Sequence, residues 1–179
     1  MSILFKNVNL PEFCGYSGAV NLLVKDKIIA SRDRYGRTPI IVGKSKNGYC
    51  VTFESSAYQN LGFKYVKDLG PGEIVEITNS NLTVLNEPYK EMKICSFLWA
   101  YYGYPTATYE GKNVELFRMN NGRVMAETEK AKGTLPEVDY INGVTDSGTP
   151  HAIGYSNASG IYNCNFQPKR ERLWKQNCI

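Results

Sequence analysis

The sequence predicts an α+β chain with an α/β second part, divided into a β-rich region at residues 1–90 and a mixed region at 91–179. Three observations carry this. Short runs rich in Val and Ile, punctuated by polar or glycine-bearing turns, recur between residues 18 and 85. The longest helical pattern lies at residues 113–131. A strand-like run at 138–145 then passes through Thr145-Asp146-Ser147-Gly148 into a second helical segment, so that helix, strand and helix follow one another as in an open α/β sheet.

In the first region, residues 18–24 and 27–31 read as strands joined by Lys25-Asp26. Residues 39–43 and 49–53 continue the pattern about a turn at 45–48, which predicts a β-meander. Residues 55–61 read as a short helix capped by Ser55 and ended at Gly62. Gly70-Pro71-Gly72 turns the chain into a strand at 73–78, and Asn79-Ser80-Asn81 joins that strand to residues 82–85 as a hairpin.

Beyond Glu87-Pro88, the helix at 113–131 has Asn113 as its cap and Val114, Phe117, Asn121 and Val124 on one face, with a soft middle at Asn120-Asn121-Gly122. Residues 133–137 turn the chain into the strand at 138–145, where Gly143 admits a close backbone approach. A helix at 150–159 follows, with Pro150 in its first turn and Gly160 at its end.

The turn between that strand and helix carries the chemistry. The backbone amides of Ser147, Gly148 and Thr149, with two hydroxyls, suit an anionic ligand at a helix N-terminus. The same residue types also serve as plain turn and capping residues, and Asp-Ser-Gly-Thr alone does not separate the two readings.

Six blocks, taken in order, are more specific: RDRYGRTPIIVGK from Arg32, FESSAYQNLGF from Phe53, LGPGEIVEI from Leu69, CSFLWAYYGYP from Cys95, NVELFRMNNGRVMA from Asn113 and TDSGTPHAIGY from Thr145. Over about residues 15–161 the chain resembles an internal portion of the glutamine phosphoribosylpyrophosphate amidotransferase (amidophosphoribosyltransferase) family. The resemblance implies the second half of an N-terminal-nucleophile (Ntn) glutaminase sandwich at residues 1–90, joined to the first half of a type I phosphoribosyltransferase sheet at 91–179. It implies an enzyme of de novo purine biosynthesis that makes phosphoribosylamine from glutamine, water and phosphoribosyl pyrophosphate, with Mg²⁺ on the diphosphate. Asp146, Ser147, Gly148 and Thr149 are then the residues implied to bind the pyrophosphate portion.

The family's nucleophile is an N-terminal cysteine, whereas this sequence begins Met1-Ser2-Ile3. No pair of adjacent acidic residues of the kind that precedes the family's ribose-phosphate loop occurs in the chain. The expectation is therefore a truncated or split member, inactive alone, with no catalytic residue of its own and a complementing polypeptide or a homo-oligomer as partner. The family's arginine, aspartate and serine about the proline of the aromatic block are replaced here by Tyr104, Thr106 and Ala107. The alternative from a different class is a non-catalytic protein on the same scaffold that binds a phosphorylated metabolite or serves in assembly, and a gene product without function is a third reading.

Composition supports a folded chain. Hydrophobic residues make up 42% of its 179 residues, and thirteen tyrosines with seven phenylalanines argue against disorder. The net charge of +4 is mild, and the basic cluster of Lys169, Arg170, Arg172 and Lys175 reads as a solvated tail rather than a nucleic-acid site. No apolar run reaches membrane-spanning length and no cleavable signal follows Met1, which places the expected location in the cytoplasm.

Five scattered cysteines form neither a disulfide framework nor a zinc motif. Cys95 occupies the position of an iron–sulfur ligand in some members of the family. It is read instead as a buried structural thiol, because a cluster needs several thiolates. His151, the single histidine, stands four residues after Ser147 and reads as a helix-surface residue rather than part of a relay. Arg32-Asp33-Arg34 with Arg37 read as an Arg–Asp brace before the strand at 39–43, and the aromatic run from Trp99 to Tyr104 as core or interdomain packing.

Overall fold

The computed structural model describes residues 18–164. They form two compact units, one of residues up to 95 with Ala107–Gly111, the other of Ser96–Thr106 with residues from 112 onward.

The first unit contains two sheets. Strands β1 (Ala19–Val24) and β2 (Lys27–Arg32) form a hairpin about Lys25, whose φ of 55° meets the demand of a tight turn. The other edge of β2 pairs with β6 (Ile74–Ile77), Ala30 opposite Val75, and β7 (Leu82–Asn86) closes the order β1-β2-β6-β7. Strands β3 (Ile41–Ser45), β4 (Gly48–Thr52) and β5 (Lys64–Asp68) form a separate sheet of order β4-β3-β5. Ala30, Ile40, Val42, Leu69, Val75 and Ile77 form one buried cluster drawn from both sheets and their flanks; burial of such side chains contributes roughly 1.5–3 kcal/mol each.

The expected meander is thus two sheets. The break lies after β2, where Asp33 gathers the chain: its carboxylate accepts from the amides of Tyr35 (3.1 Å), Arg37 (2.9 Å) and Thr38 (3.3 Å). Arg32 and Asp33 do brace this turn, but not as a pair. The buried Arg32 guanidinium donates to the Leu69 carbonyl, to the Gly36 carbonyl at 2.6 Å and to the Glu110 carboxylate at 2.6 Å. Strand β5 was not expected from the sequence. Lys64, Tyr65 and Val66 are all exposed, so no apolar alternation marks it.

Helix α1 (Ser55–Asn60) begins after Glu54 and has no side-chain cap. Ser55 lies inside it, and its hydroxyl accepts from the Thr108 amide at 2.7 Å, a long-range bond in place of the expected cap. Strand β8 (Thr108–Tyr109) belongs to this unit, and the buried Tyr109 donates its hydroxyl to Glu54 at 2.7 Å. Gly43 packs closely here, since a Cβ would stand 2.8 Å from the Cys50 sulfur and that side chain would have to shift.

The second unit is built on two helices. Strand β9 (Lys112–Asn113) leads into α2 (Val114–Lys132), where the Asn113 side chain accepts from the Leu116 amide at 3.0 Å as the expected cap, and Gly133 ends the helix at φ 67°. The buried stripe is Val114, Arg118, Gly122 and Ala126; of the expected face Val114 is buried, Phe117 and Asn121 are half-buried and Val124 is 50% exposed. The stripe follows helix contact, not hydropathy. Gly122 abuts the carbonyl of His151, and in α3 (Gly148–Ser159) Gly154 abuts the carbonyl of Met119, so the two helices meet backbone to backbone. The helix runs through Asn120-Asn121-Gly122 without a break.

A π-helical turn at Leu98–Tyr102 buries Trp99, whose indole donates to the Lys112 carbonyl at 3.1 Å. Tyr101, Tyr102 and Tyr104 are exposed, so of the aromatic run only part packs inward. The Arg118 guanidinium, 1% exposed, donates to the carbonyls of Trp99, Tyr101 and Gly103, each at 2.8 Å, and thereby holds the end of this turn.

The expected strand at 138–145 is reduced to β10 (Tyr140–Ile141), paired in parallel with β11 (Tyr162–Asn163). Val138 and Val144 are exposed, the latter at 84%. Beyond Ile141 the backbone leaves the ladder because Gly143 turns against the first turn of α3.

Candidate functional site

The turn at residues 142–149 is fixed from both sides. The Cys164 amide donates to the Ile141 carbonyl at 3.0 Å and anchors the end of β10. A Cβ on Gly143 would lie 2.4 Å from the Gly148 carbonyl oxygen and 2.8 Å from the Thr149 Cα, so the expected close approach at Gly143 is present and is directed at the start of α3. The Gly148 amide donates to the Val144 carbonyl at 2.8 Å and the Thr149 amide to the Asp146 carbonyl at 3.3 Å. The Thr145–Asp146 peptide is cis.

Asp146 is exposed, and Ser147, Gly148 and Thr149 are half-buried. Helix α3 starts two residues earlier than the sequence pattern suggests, with Ser147 at the cap position, helical φ and ψ and no side-chain capping bond. The plain capping role therefore does not describe Ser147. Among the described residues no side-chain partner engages the Asp146 carboxylate or the Ser147 and Thr149 hydroxyls. The expected amide cradle needs a correction, because two of its three N–H groups are bonded within the turn. The polar atoms left unengaged are the Ser147 amide, the Asp146 carboxylate and the Ser147 and Thr149 hydroxyls.

Behind the turn lies an apolar cavity of about 430 Å³ lined by residues of α2, α3 and the 136–144 segment, among them Met125, Ile141, Val144, Ala152 and Tyr155. Tyr155 donates its hydroxyl to the Glu129 carboxylate across the helix pair. Burial, followed by this bond and the Glu129 charge, pushes the Tyr155 phenol up to about 12. His151 also lines the cavity. Its Nε2 lies 3.1 Å from the Ala100 carbonyl oxygen, which makes it a half-buried tether for the aromatic turn rather than a helix-surface residue. Gly122, Gly154 and Arg118 carry this scaffold; the sequence reading marks Gly122 only as a soft point in the helix and assigns no role to Gly154 or Arg118, and a glycine within each of two helical patterns is the available signal.

Cys95 is exposed, which corrects the expectation of a buried thiol. Among the described residues no group of three or more His, Cys, Asp or Glu is placed to hold a metal ion. No helix among the described residues is long and apolar enough to cross a membrane. The basic cluster at 169–175, Cys14 and Cys178 lie outside the described residues.

Three curated relatives are similar to this chain over about four-fifths of its length. Amidophosphoribosyltransferase of Drosophila melanogaster is 32% identical over 158 residues, covering 78% of this chain and 28% of the relative. That of Archaeoglobus fulgidus is 32% identical over 146 residues, 81% of this chain and 31% of the relative. That of Synechococcus elongatus is 33% identical over 153 residues, 80% and 30% respectively. The chain resembles an internal portion of the amidophosphoribosyltransferases.

Two solved structures agree in fold. Glutamine phosphoribosylpyrophosphate amidotransferase from B. subtilis, complexed with ADP and GMP, superposes with a TM-score of 0.72 at 24% identity over 90% of this chain and 37% of its own. A structure described as the allosteric regulatory enzyme of purine biosynthesis gives 0.72 at 25% identity, over 90% and 36%. No protein-family model matches the chain. The chain spans about three-tenths of the length of the curated relatives.

Proposed function

We propose that this chain is an amidophosphoribosyltransferase-like protein of purine biosynthesis whose 144–149 turn binds the pyrophosphate portion of phosphoribosyl pyrophosphate. In this reading residues 1–90 are the second half of a glutaminase-like Ntn sandwich and residues 91–179 the first half of a type I phosphoribosyltransferase sheet. The observation that carries it is the turn itself: Asp146, Ser147 and Thr149 sit at the carboxyl end of β10 and the start of α3, braced by Gly143 and engaged by no other described side chain. Open α/β sheets bind ligands at that end of their strands.

In the family reaction, ammonia released from glutamine forms the new C–N bond at the sugar's anomeric carbon. The bond from that carbon to the pyrophosphate oxygen breaks, and its electron pair leaves with pyrophosphate. The Ser147 and Thr149 hydroxyls would donate hydrogen bonds to the leaving group as charge grows on it. Mg²⁺ belongs to the substrate here. With one carboxylate in the turn and no cluster of metal-binding side chains among the described residues, the ion would arrive on the diphosphate, held by its oxygens. The nucleophile and the ribose-phosphate contacts come from residues outside this segment or from another polypeptide, and no catalytic residue is assigned within it.

The test is thermal unfolding of the chain with and without Mg²⁺ and phosphoribosyl pyrophosphate. A ligand bound only by the folded state adds about 2.7 kcal/mol at a hundred times its dissociation constant. A single hydroxyl-to-phosphate hydrogen bond is worth about 1.5 kcal/mol or more, so Ser147→Ala or Thr149→Val should weaken binding about tenfold and cut the gain at that ligand concentration to about 1.4 kcal/mol. A cooperative transition in the wild type that ignores the ligand removes the proposal.

A further inference from the structure

We infer a second, separate ligand site in the first unit, for a small phosphorylated compound with an aromatic or apolar body. A basin of about 800 Å³ opens between the β3–β4 turn and the segment that runs from α1 into β5. Lys44, Lys46 and Lys64 line it, together with Leu61, Phe63 and Val66, and no carboxylate does. Its volume lies within the range of small-molecule sites.

The strand register makes this more than a solvated basic surface. Lys44 of β3 lies directly opposite Lys64 of β5 in the antiparallel ladder. Like charges at facing positions on a sheet are destabilising, and Lys46 adds a third ammonium from the adjoining turn. None of the three has an ion-pair partner among the described residues. Lys44 finds partial relief above the Tyr49 ring, 4.8 Å from its centroid. The acid close in sequence, Asp68, is bonded to the Tyr65 hydroxyl at 3.1 Å.

A bound anion would neutralise this repulsion and accept charge-assisted hydrogen bonds from flexible ammonium groups. The apolar floor sets the rest of the ligand class, since half-buried Phe63 and exposed Leu61 and Val66 gain from being covered. The site lies wholly within the first unit and does not depend on the reading of the 144–149 turn.

Calorimetric titration of the full chain with 1-naphthyl phosphate at about 50 mM salt tests it. Saturable one-to-one binding is expected, weaker at higher salt and weaker for inorganic phosphate. Lys64→Gln and Lys44→Gln should each raise the dissociation constant about tenfold, as loss of a charged hydrogen bond does, while Ser147→Ala leaves it unchanged. The unliganded Lys64→Gln chain should melt at or above the wild-type temperature, because a facing like charge is gone, and this shows that the variant is folded. No saturable binding by the wild type, equal binding by Lys64→Gln, or binding only of an Asp/Glu-rich peptide would overturn the inference.

Discussion

Gly154→Ala is the sharpest test of the second unit. An alanine in a helix interior is ordinarily favoured over glycine by about 1 kcal/mol. Here the added Cβ would stand 1.8 Å from the Met119 carbonyl oxygen. That contact is with backbone of α2, which has no rotamer to change. The helices would have to separate by more than about 1 Å to restore van der Waals spacing, loosening the facing contact at Gly122, where a Cβ would lie 1.9 Å from the His151 carbonyl oxygen. Overpacking of this kind costs roughly 1–3 kcal/mol, and a backbone clash belongs at the upper end. After the propensity gain the net loss is about 2 kcal/mol, a fall in melting temperature of about 4–8 °C for a chain of this size. Thermal unfolding by circular dichroism reads it directly. Spectrophotometric titration gives a second readout, since separated helices would break the Tyr155–Glu129 bond and let that phenol ionise below its value of about 12. A variant that melts higher than wild type would refute the backbone-to-backbone packing of α2 on α3.

Other perturbations probe the remaining structure. Arg118→Met should cost about 3 kcal/mol in urea denaturation, because three carbonyls at 2.8 Å lose a charged donor in a buried place; a midpoint unchanged from wild type would contradict its role in holding the aromatic turn. Asp68 is held above the ordinary carboxylate value by burial and then by the Glu110 charge, against the opposing Tyr65 bond and Arg32. Its folded form binds the proton more tightly than the unfolded chain, so its contribution to stability falls as pH rises from the ordinary carboxylate value through the raised one. Asp68→Asn should therefore gain relative to wild type at pH 7, with the advantage shrinking as the pH drops through the carboxylate range, measured by denaturation at several pH values. Brief alkylation of the native chain followed by mass mapping should label exposed Cys95 before Cys50, which is half-buried and whose thiol is pushed up by desolvation; faster labelling of Cys50 would reverse that assignment.

Much of the first unit was legible because its strands obey local rules. Lys25-Asp26 and Asn79-Ser80-Asn81 mark hairpin turns, and the strands they join pair as expected. Two features were not legible for a common reason, since both depend on contacts distant in sequence. The division into two sheets depends on β2 choosing β6, with Ala30 opposite Val75, and the Ser55 hydroxyl is taken by Thr108 rather than by its own helix. Strand β5 escaped notice because its exposed Lys64, Tyr65 and Val66 carry no alternation. In α2 the hydropathy pattern selected Val124, whereas the structure buries Gly122, a residue that has no hydropathy to display and packs because it has no side chain.

The candidate turn shows the same limit at finer scale. Residue types at 145–149 indicated an anion site, and Gly143 indicated a close approach, but neither reveals which polar atoms remain unengaged. The backbone path decides that. Because α3 begins at Gly148, the Gly148 and Thr149 amides bond to Val144 and Asp146 carbonyls inside the turn. A phosphate drawn there by the helix N-terminus alone would compete with those bonds, whereas one drawn by side-chain hydroxyls would not. Alanine at Ser147 leaves the helix dipole and the amides in place and removes the hydroxyl, which is why the Ser147→Ala and Thr149→Val comparison separates hydroxyl recognition from generic attraction of an anion to a helix end.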